Sequence, residues 1–334
     1  MVGFYCIAMK LSVIIPTRNR STLLEKTLQS LLTQTLSNEH FEVIVVDNGS
    51  TDNTFDVVDS FRARLNNIRY FLEYQPGLHV GRHKGLSEAL SDILVYADDD
   101  IEPFPTWLEG IYSSFGRDDV VLVGGKNLPK YEMLPPQWIR NMWETPCEAG
   151  RYLPYLSIVD LGDEQKEINP YYVFGCNFSI RKEVLVAAGG FHPDGMPQEM
   201  IRYRGDGETH VCQFINSNKL KCWYSPAASV YHLVPPMRMT IEYFSQRAFN
   251  QGVSDSFTRI RLQGGTSESD VLKCSCFDWF FLKYGSMTFN CMNSRYLLDM
   301  VLYSSYRDGY NEHNRLARTD TKILEWTLKD TWLP

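Results

Sequence analysis

Short apolar runs and amphipathic stretches alternate along the chain up to residue 100. Leu11–Pro16 (LSVIIP), Phe41–Val46 (FEVIVV), Ile68–Leu72 and Ile93–Ala97 (ILVYA) are strand-length and mostly apolar, the pattern of buried strands. In Ser21–Leu32, the residues Leu23, Leu24, Leu28, Leu31 and Leu32 recur at helical spacing behind a Ser/Thr cap. Thr54–Leu65 and Val80–Leu90 also read as helices. The alternation predicts an α/β protein with a mostly parallel, doubly wound sheet and helices on both faces.

Beyond residue 100 the rhythm changes. Trp107–Phe115 predicts a helix, Val120–Gly124 and Val173–Ile180 strands, and Lys182–Ala188 a short helix ended by Gly189-Gly190. His210–Ile215 continues a helix begun at the acidic segment Asp206–Glu208. Ala228–Leu233 is a last strand, and the chain from Met239 onward is mostly helical. Lys126 to Pro170 reads as one long irregular stretch rich in Pro, Trp and Tyr, and loops of that length tend to be functional. No internal repeat or low-complexity tract is present.

Composition narrows the class. The 334 residues are 44% hydrophobic and 22% charged, ordinary for a globular protein. A net charge of -7 argues against a general nucleic-acid binder, which needs a basic surface, but leaves room for a local basic pocket. The eight cysteines, at 6, 147, 176, 212, 222, 274, 276 and 291, form no CxxC pair. Cys274-Ser275-Cys276 is too isolated for a zinc site, so buried thiols in a reducing cytosol are expected. Met1–Cys6 is apolar but shorter than a signal peptide or a membrane span. A cytoplasmic location is expected, with peripheral contact at the inner face of the membrane left open.

The candidate chemistry gathers at predicted strand ends. Asp98, Asp99 and Asp100 follow Ile93–Ala97 directly. Three adjacent like charges repel, and a hard divalent cation would relieve them while bridging to phosphates; a solvated acidic turn is the plainer alternative. Pro16, Thr17, Arg18 and Asn19 lie just beyond the first strand, where backbone N–H groups and polar side chains can meet a nucleotide, or form an ordinary loop. Asp47 can accept from a base N–H or a ribose hydroxyl, and can equally cap an Asx turn with Asn48, Gly49 and Ser50. Arg82 follows Gly81 at a helix start, a place suited to phosphate. Asp206 and Glu208 precede a helix and could be capping groups. His232 ends the last strand, where a lone histidine is more often structural than a ligand. Arg247 could reach a phosphate or sit on the surface. Trp138, Trp143, Tyr152, Tyr155, Tyr171 and Tyr172 could stack on sugars in an acceptor cleft, or form a satellite core.

Taken in order, Val13 to Arg20, Val45 to Asp52, Gly81 to Gly85, Ala97 to Asp100 and Gly205 to Glu208 resemble the motifs of the family 2 glycosyltransferases, which have the GT-A fold. The resemblance covers about Lys10 to Gly252 and is most specific in the first 100 residues. It implies a metal-dependent, inverting glycosyltransferase that uses a nucleotide-diphosphate sugar. Pro16, Thr17, Arg18, Asn19, Asp47, Asn48, Arg82, Asp98 and Asp99 would bind the donor, with Asp47 on uracil or a similar base. His83 departs from the family's common Arg-Asn pair, so only Arg82 is carried over. Asp98 and Asp100 fit the D-x-D motif that holds Mn²⁺ or Mg²⁺; Asp99 is a direct ligand or a sugar contact, and His232 an added metal ligand or phosphate contact. Glu208 aligns with the general base, although Gly207 splits the usual acid pair and counting from Gly205 favours Asp206. UDP-sugars are the default donors, and a saccharide or lipid-linked glycan the expected acceptor. The implied organisation is a nucleotide-sugar-binding half at 9–120, an acceptor-binding half of the same domain at 121–235, and a mainly helical region at 236–334. The other readings are a sugar-phosphate nucleotidyltransferase, whose glycine-rich loop Thr17–Ser21 lacks, and a non-catalytic binder of sugar nucleotides or glycans.

Overall fold

The computed structural model describes residues 9–273 and 294–333. The expectations for Met1–Cys6 and for Cys274, Cys276 and Cys291 lie outside the described residues.

Runs that can bury both faces build the main sheet. β1 (Leu11–Thr17) and β2 (Phe41–Asp47) are buried at every position. β1 pairs in parallel with β2 on one side and with β4 (Ile93–Ala97) on the other, and β3 (Ile68–Leu72) adds to β2. Alternate residues feed two cores. Val13, Ile15, Val43, Val45 and Val95 pack on one face, the side of α1 (Ser21–Leu31), α2 (Thr54–Phe61) and α4 (Trp107–Ser114). Ile14, Ile44, Val46, Leu94 and Tyr96 pack on the other, beneath α3 (Leu78–Glu88), α6 (Lys182–Ala187) and α7 (Thr209–Ser217). The register sets Thr17 opposite Asp47 and Ile14 opposite Tyr96. The carboxyl ends of β1, β2 and β4 therefore open on one edge, where open α/β sheets bind ligands.

The sheet continues with β11 (Asn177–Arg181), antiparallel to both β4 and β6 (Val120–Gly124). β12 (Lys221–Tyr224) runs parallel to β6, and β10 (Lys166–Glu167) closes that edge. The strand expected over Val173–Ile180 begins only at Asn177, because Pro170–Tyr172 forms a 3-10 turn. The helix expected over Thr54–Leu65 ends at Phe61, and α3 starts two residues earlier than expected, at Leu78.

The stretch from Lys126 to Pro170 is not irregular. It holds β7 (Asn127–Tyr131), α5 (Gln137–Glu144), β8 (Arg151–Leu153), β9 (Ile158–Asp160) and β10. With β5 (Ile101–Pro103) and β13 (Val230–Val234), three of these strands form a second sheet in the order β5-β13-β7-β9-β8. This sheet stands over the ligand edge of the first. Among the cysteines, Cys176, Cys212 and Cys222 are buried as expected, while Cys147 is exposed.

The C-terminal region comprises α8 (Ile241–Gln263), α9 (Ser294–Thr319) and α10 (Thr321–Leu328). Phe244 and Ala248 of α8 pack with Ile139, Leu156 and Val234, so the helix joins the second sheet through a shared core. Among the described residues, no helix is long and apolar enough to cross a membrane.

Candidate active site

The three aspartates beyond β4 divide by direction. Asp99 and Asp100 are buried, 2% and 3% exposed, whereas the Asp98 side chain is 31% exposed. Asp99 Oδ2 accepts from Thr17 Oγ1 at 2.7 Å, and its Oδ1 lies 2.6 Å from Arg20 Nη1. Burial raises the Asp99 carboxyl to about 7, against the pull of Arg20. Asp100 Oδ2 is held by Arg20 at 2.6 Å and Arg238 at 2.9 Å. Burial alone would raise the Asp100 carboxyl, but His232, Arg238 and Arg20 keep it well below the usual carboxylate range. Asp100 Oδ1 is enclosed and forms no hydrogen bond; His232 Nε2 stands 3.4 Å away.

His232 projects from β13. Its Nδ1 lies 2.8 Å from the Leu156 carbonyl oxygen, and Arg238 Nη1 lies 3.3 Å from its Nε2. Ligand atoms of Asp98, His232 and Cys176 lie within 4.8 Å of one another. A hard divalent cation takes carboxylate oxygens and accepts imidazole. Asp98 and His232 belong to this group, whereas Asp100, the other acid of the expected D-x-D pair, lies outside it.

The β1 and β2 loops form the neighbouring rim. Asp47 Oδ1 accepts from Ser50 N at 2.7 Å, and its Oδ2 from Tyr70 OH at 2.6 Å. Both Asp47 oxygens are thus engaged in the turn, with lone pairs to spare. Burial and the Asp47 hydrogen bond push the Tyr70 hydroxyl up. Asn19 adopts a left-handed φ of 52°, accepts from Thr51 N at 2.7 Å and donates its own N–H to Ser50 Oγ at 2.8 Å. Asn48 N donates to the Thr17 carbonyl at 2.9 Å. A Cβ on Gly81 would come within 2.6 Å of Asn48 Oδ1, so α3 docks tightly on this rim. Pro16 is buried and Arg18 exposed.

Arg82 turns away from the rim. Its guanidinium is buried, 3.7 Å from Asp98 Oδ1 and 3.4 Å from Glu208 Oε2, and lies over the Phe191 ring. Gly175 leaves it room: a Cβ there would fall 2.3 Å from Arg82 Nη2.

The structure separates Asp206 from Glu208. Asp206 is buried, with Oδ1 2.5 Å from His192 Nδ1 and Oδ2 accepting from Thr258 Oγ1 at 2.5 Å. Burial would raise this carboxyl, but the His192 and Thr258 hydrogen bonds lower it. Glu208 is 25% exposed at the side chain and also accepts from Gly175 N at 3.1 Å. Gly207 has φ 55°, a left-handed turn that suits glycine and sends the two acids to different surroundings.

Arg82, Asp98 and Glu208 line a cleft of about 970 Å³. Tyr152, Tyr155 and Tyr171 line it too, as do Arg247 and Asp255 of α8 and Leu302 and Tyr306 of α9. Tyr172 packs edge-on against Tyr152. Trp138 and Trp143 belong instead to the core beneath, Trp138 against Phe244. Arg247 is therefore a cleft residue. Sequence reasoning missed Arg20, Gly175, Cys176 and Arg238. Arg20 stands inside the first motif, one residue past those nominated. Cys176 and Arg238 had no local signal, because strand pairings and a turn after β13 bring them in.

The paired acids at the carboxyl edge of a mixed sheet, under a second sheet, give the arrangement of a GT-A glycosyltransferase. The family model of glycosyl transferase family 2 matches residues 12–187, more than half of the chain, and the chain belongs to that family. It is 36% identical over 115 residues to glycosyltransferase AglE of Haloferax volcanii, covering 34% of this chain and 38% of that one. It is 30% identical over 200 residues to a validoxylamine A glucosyltransferase of Streptomyces hygroscopicus subsp. jinggangensis, covering 55% and 47%. It is also 39% identical over 95 residues to the GalNAc(5)-diNAcBac-PP-undecaprenol beta-1,3-glucosyltransferase of Campylobacter jejuni subsp. jejuni, covering 28% and 30%. The matches thus span less than half the length of these relatives. The fold is shared with the mannosyltransferase PcManGT of Pyrobaculum calidifontis, solved with GDP-Man and Mn²⁺, at TM-score 0.55 and 16% identity over 97% of this chain and 87% of that one. It is shared as well with S. aureus TarS 1-349 in complex with UDP-GlcNAc, at TM-score 0.51 and 17% identity over 93% and 92%.

Proposed function

We propose that this chain is a metal-dependent, inverting glycosyltransferase that moves a sugar from a nucleotide-diphosphate sugar, with a UDP-sugar favoured, to a hydroxyl of a saccharide or lipid-linked glycan. The observation that carries the reading is the pairing of Asp98 and Glu208 through the buried Arg82 on one wall of the cleft. Residues 9–120 bind the donor, 121–235 receive the acceptor, and the helical region 236–334 completes the cleft. Pro16 to Asn19, Asp47 and Asn48 take the nucleoside, and Asp98 and Asp99 face the sugar and diphosphate. Asp98, Asp100 and His232 would hold Mn²⁺ or Mg²⁺, which supplies Lewis-acid neutralisation of the charge on the departing diphosphate. Glu208, oriented by Gly175 N–H and Arg82, takes the proton of the acceptor hydroxyl as it attacks the anomeric carbon from the opposite face. Tyr152, Tyr155 and Tyr171 offer ring faces on which an acceptor sugar stacks.

The metal is supported by the donor set and by the Mn²⁺ in the mannosyltransferase of like fold. That protein carries GDP-Man and the other neighbour UDP-GlcNAc, which supports a nucleotide-sugar donor and leaves the choice among bases to the donor panel below. A lipid-linked acceptor, and with it contact at the inner membrane face, is supported by the name of the undecaprenol-linked relative. The test is a panel of UDP-, GDP- and dTDP-sugars incubated with the protein and Mn²⁺. Slow release of nucleoside diphosphate from one donor, lost on chelation, is expected. No release from any donor, with or without saccharide acceptors, would overturn the reading.

A further inference from the structure

We infer that Cys176 is a sulfur ligand of the divalent-cation centre, so that this centre is a mixed oxygen, nitrogen and sulfur site that prefers soft cations to Mg²⁺. The inference rests on the metal reading above and adds to it a donor of different chemistry. Three chain segments deliver the ligands. β11 runs antiparallel to β4 with Asn177 opposite Ala97, which brings Cys176, just before β11, beside Asp98, just after β4. β13 brings His232 to the same place. Ligand atoms of Asp98, Cys176 and His232 lie within 4.8 Å of one another, near enough for one ion to draw them in. Asp100 Oδ1, in a residue 3% exposed, forms no hydrogen bond and lies 3.4 Å from His232 Nε2.

The sulfur is oriented as well as near. Cys176 is 2% exposed, and Asn127 Nδ2 donates to its Sγ at 3.3 Å. The Asn127 amide is fixed in that sense because the same nitrogen donates to the Ser157 carbonyl at 3.3 Å. Its Oδ1 in turn accepts from Asn177 Nδ2 at 3.1 Å, and Trp107 Nε1 donates to Asn177 Oδ1 at 2.9 Å. A buried chain of hydrogen bonds thus presents an N–H to the sulfur, the kind of outer support that orients ligands. On binding, the cation displaces the thiol proton to water and an S–metal bond forms, with no change of oxidation state. Thiolate favours Co²⁺, Zn²⁺ and Cd²⁺, while Mg²⁺ gains little from it.

The test uses the full chain without substrate, titrated with CoCl₂ and CdCl₂. A near-ultraviolet sulfur-to-metal charge-transfer band is expected to saturate at one equivalent and to vanish in Cys176→Ser and Cys176→Ala. Cadmium affinity should fall by about tenfold or more in Cys176→Ser while Mn²⁺ binding, followed by its EPR signal in the presence of UDP, persists. Circular dichroism checks that each variant is folded. Cobalt or cadmium bound with no such band, or a band unchanged in Cys176→Ser, would overturn the inference. If the band is missing while Mn²⁺ still binds and is lost in Asp98→Asn, only the sulfur ligand fails. If no cation binds the wild-type chain, the metal reading fails with it.

Discussion

At the residue scale, two acids two positions apart have opposite environments. Asp206 spends both oxygens on His192 and Thr258 away from solvent. Glu208 opens to the cleft and meets Arg82 and Gly175 N. A general base needs reach to a substrate proton; both acids border the cleft, but the Glu208 side chain is 25% exposed and that of Asp206 2%. Glu208→Gln keeps the shape and is expected to cut transfer by about 10²–10⁴, with donor affinity by calorimetry nearly unchanged. Asp206→Asn should instead cost about 1–3 kcal/mol of stability, because buried partners lose a charged acceptor, with residual turnover in the folded fraction. An inactive but fully stable Asp206→Asn, alongside an active Glu208→Gln, would reverse the assignment. The pair was legible from sequence only as a choice. Their separation depends on the left-handed turn at Gly207 and on Thr258, fifty-two positions from Asp206. The aspartate triplet was legible because unbalanced charge at a strand end needs a reason. Which way each acid points depends on Thr17, Arg20, His232 and Arg238, which come from three other segments.

At the scale of elements, legibility followed strand length. β1 and β2 have 7 residues each and β3, β4 and β6 have 5, enough for a buried run to stand out. β5, β8 and β9 have 3 residues and β10, on the edge of the first sheet, has 2, too few to show any period; of the second sheet only β13 was expected, as Ala228–Leu233, and the 5-residue β7 was missed because Pro129 and Lys130 break its apolar run. Helix α3 was legible, but not how closely it sits on β1. A Cβ on Gly85 would fall 2.2 Å from Ile14 Cγ2, and Ile14 is fully buried and β-branched, with little freedom to turn aside. Gly85→Ala gains about 1 kcal/mol of helix propensity but overpacks the core at about 1–3 kcal/mol. A net loss is expected, seen as a lower urea midpoint at unchanged slope. Arg82 lies one turn earlier on the same helix, so activity should fall further than stability explains. A variant as stable as the parent would show that the helix can move off the strand freely.

At the scale of the whole molecule, the helical region packs against the cleft and lines part of it. Cβ atoms on Gly252 and Gly309 would fall 1.9 Å from Tyr306 O and 2.0 Å from Phe249 O, so α8 and α9 touch backbone to backbone while both line the cleft. No periodicity in the sequence announces such a contact, since it depends on what glycine lacks. A second junction ties the C-terminal tail to the donor-side helix. Trp332 N donates to the Gly189 carbonyl at 3.3 Å, and its ring meets His79 and His192. His210 stacks on His192 with centroids 3.7 Å apart, and His83 Nε2 accepts from Phe191 N at 2.9 Å, a bond that a protonated ring cannot make. Asp206 and Asp194 are the acids facing this cluster, and Arg82, Arg261 and Lys329 the cations. Burial lowers His79 and His210 to about 4 and His83 to about 3. These rings are neutral in the folded chain, whereas in the unfolded chain they bind protons below about 6.5. The stability they allow is therefore fully present above about pH 6.5 and is lost progressively as the pH falls toward 4. Asp100 and Asp206, held low by their partners, lose their contribution only at more acid pH, so the two effects separate. Asp99, raised to about 7 by burial, takes up a proton in the folded chain over the same window and opposes the histidines, so the melting temperature of the parent is compared with that of a histidine variant between pH 7 and 5. His210→Gln, which can still donate to the Ala188 carbonyl but does not titrate, should lose less, or gain more, on acidification than the parent. An equal slope in the parent and His210→Gln would show that the cluster does not contribute to the acid limb.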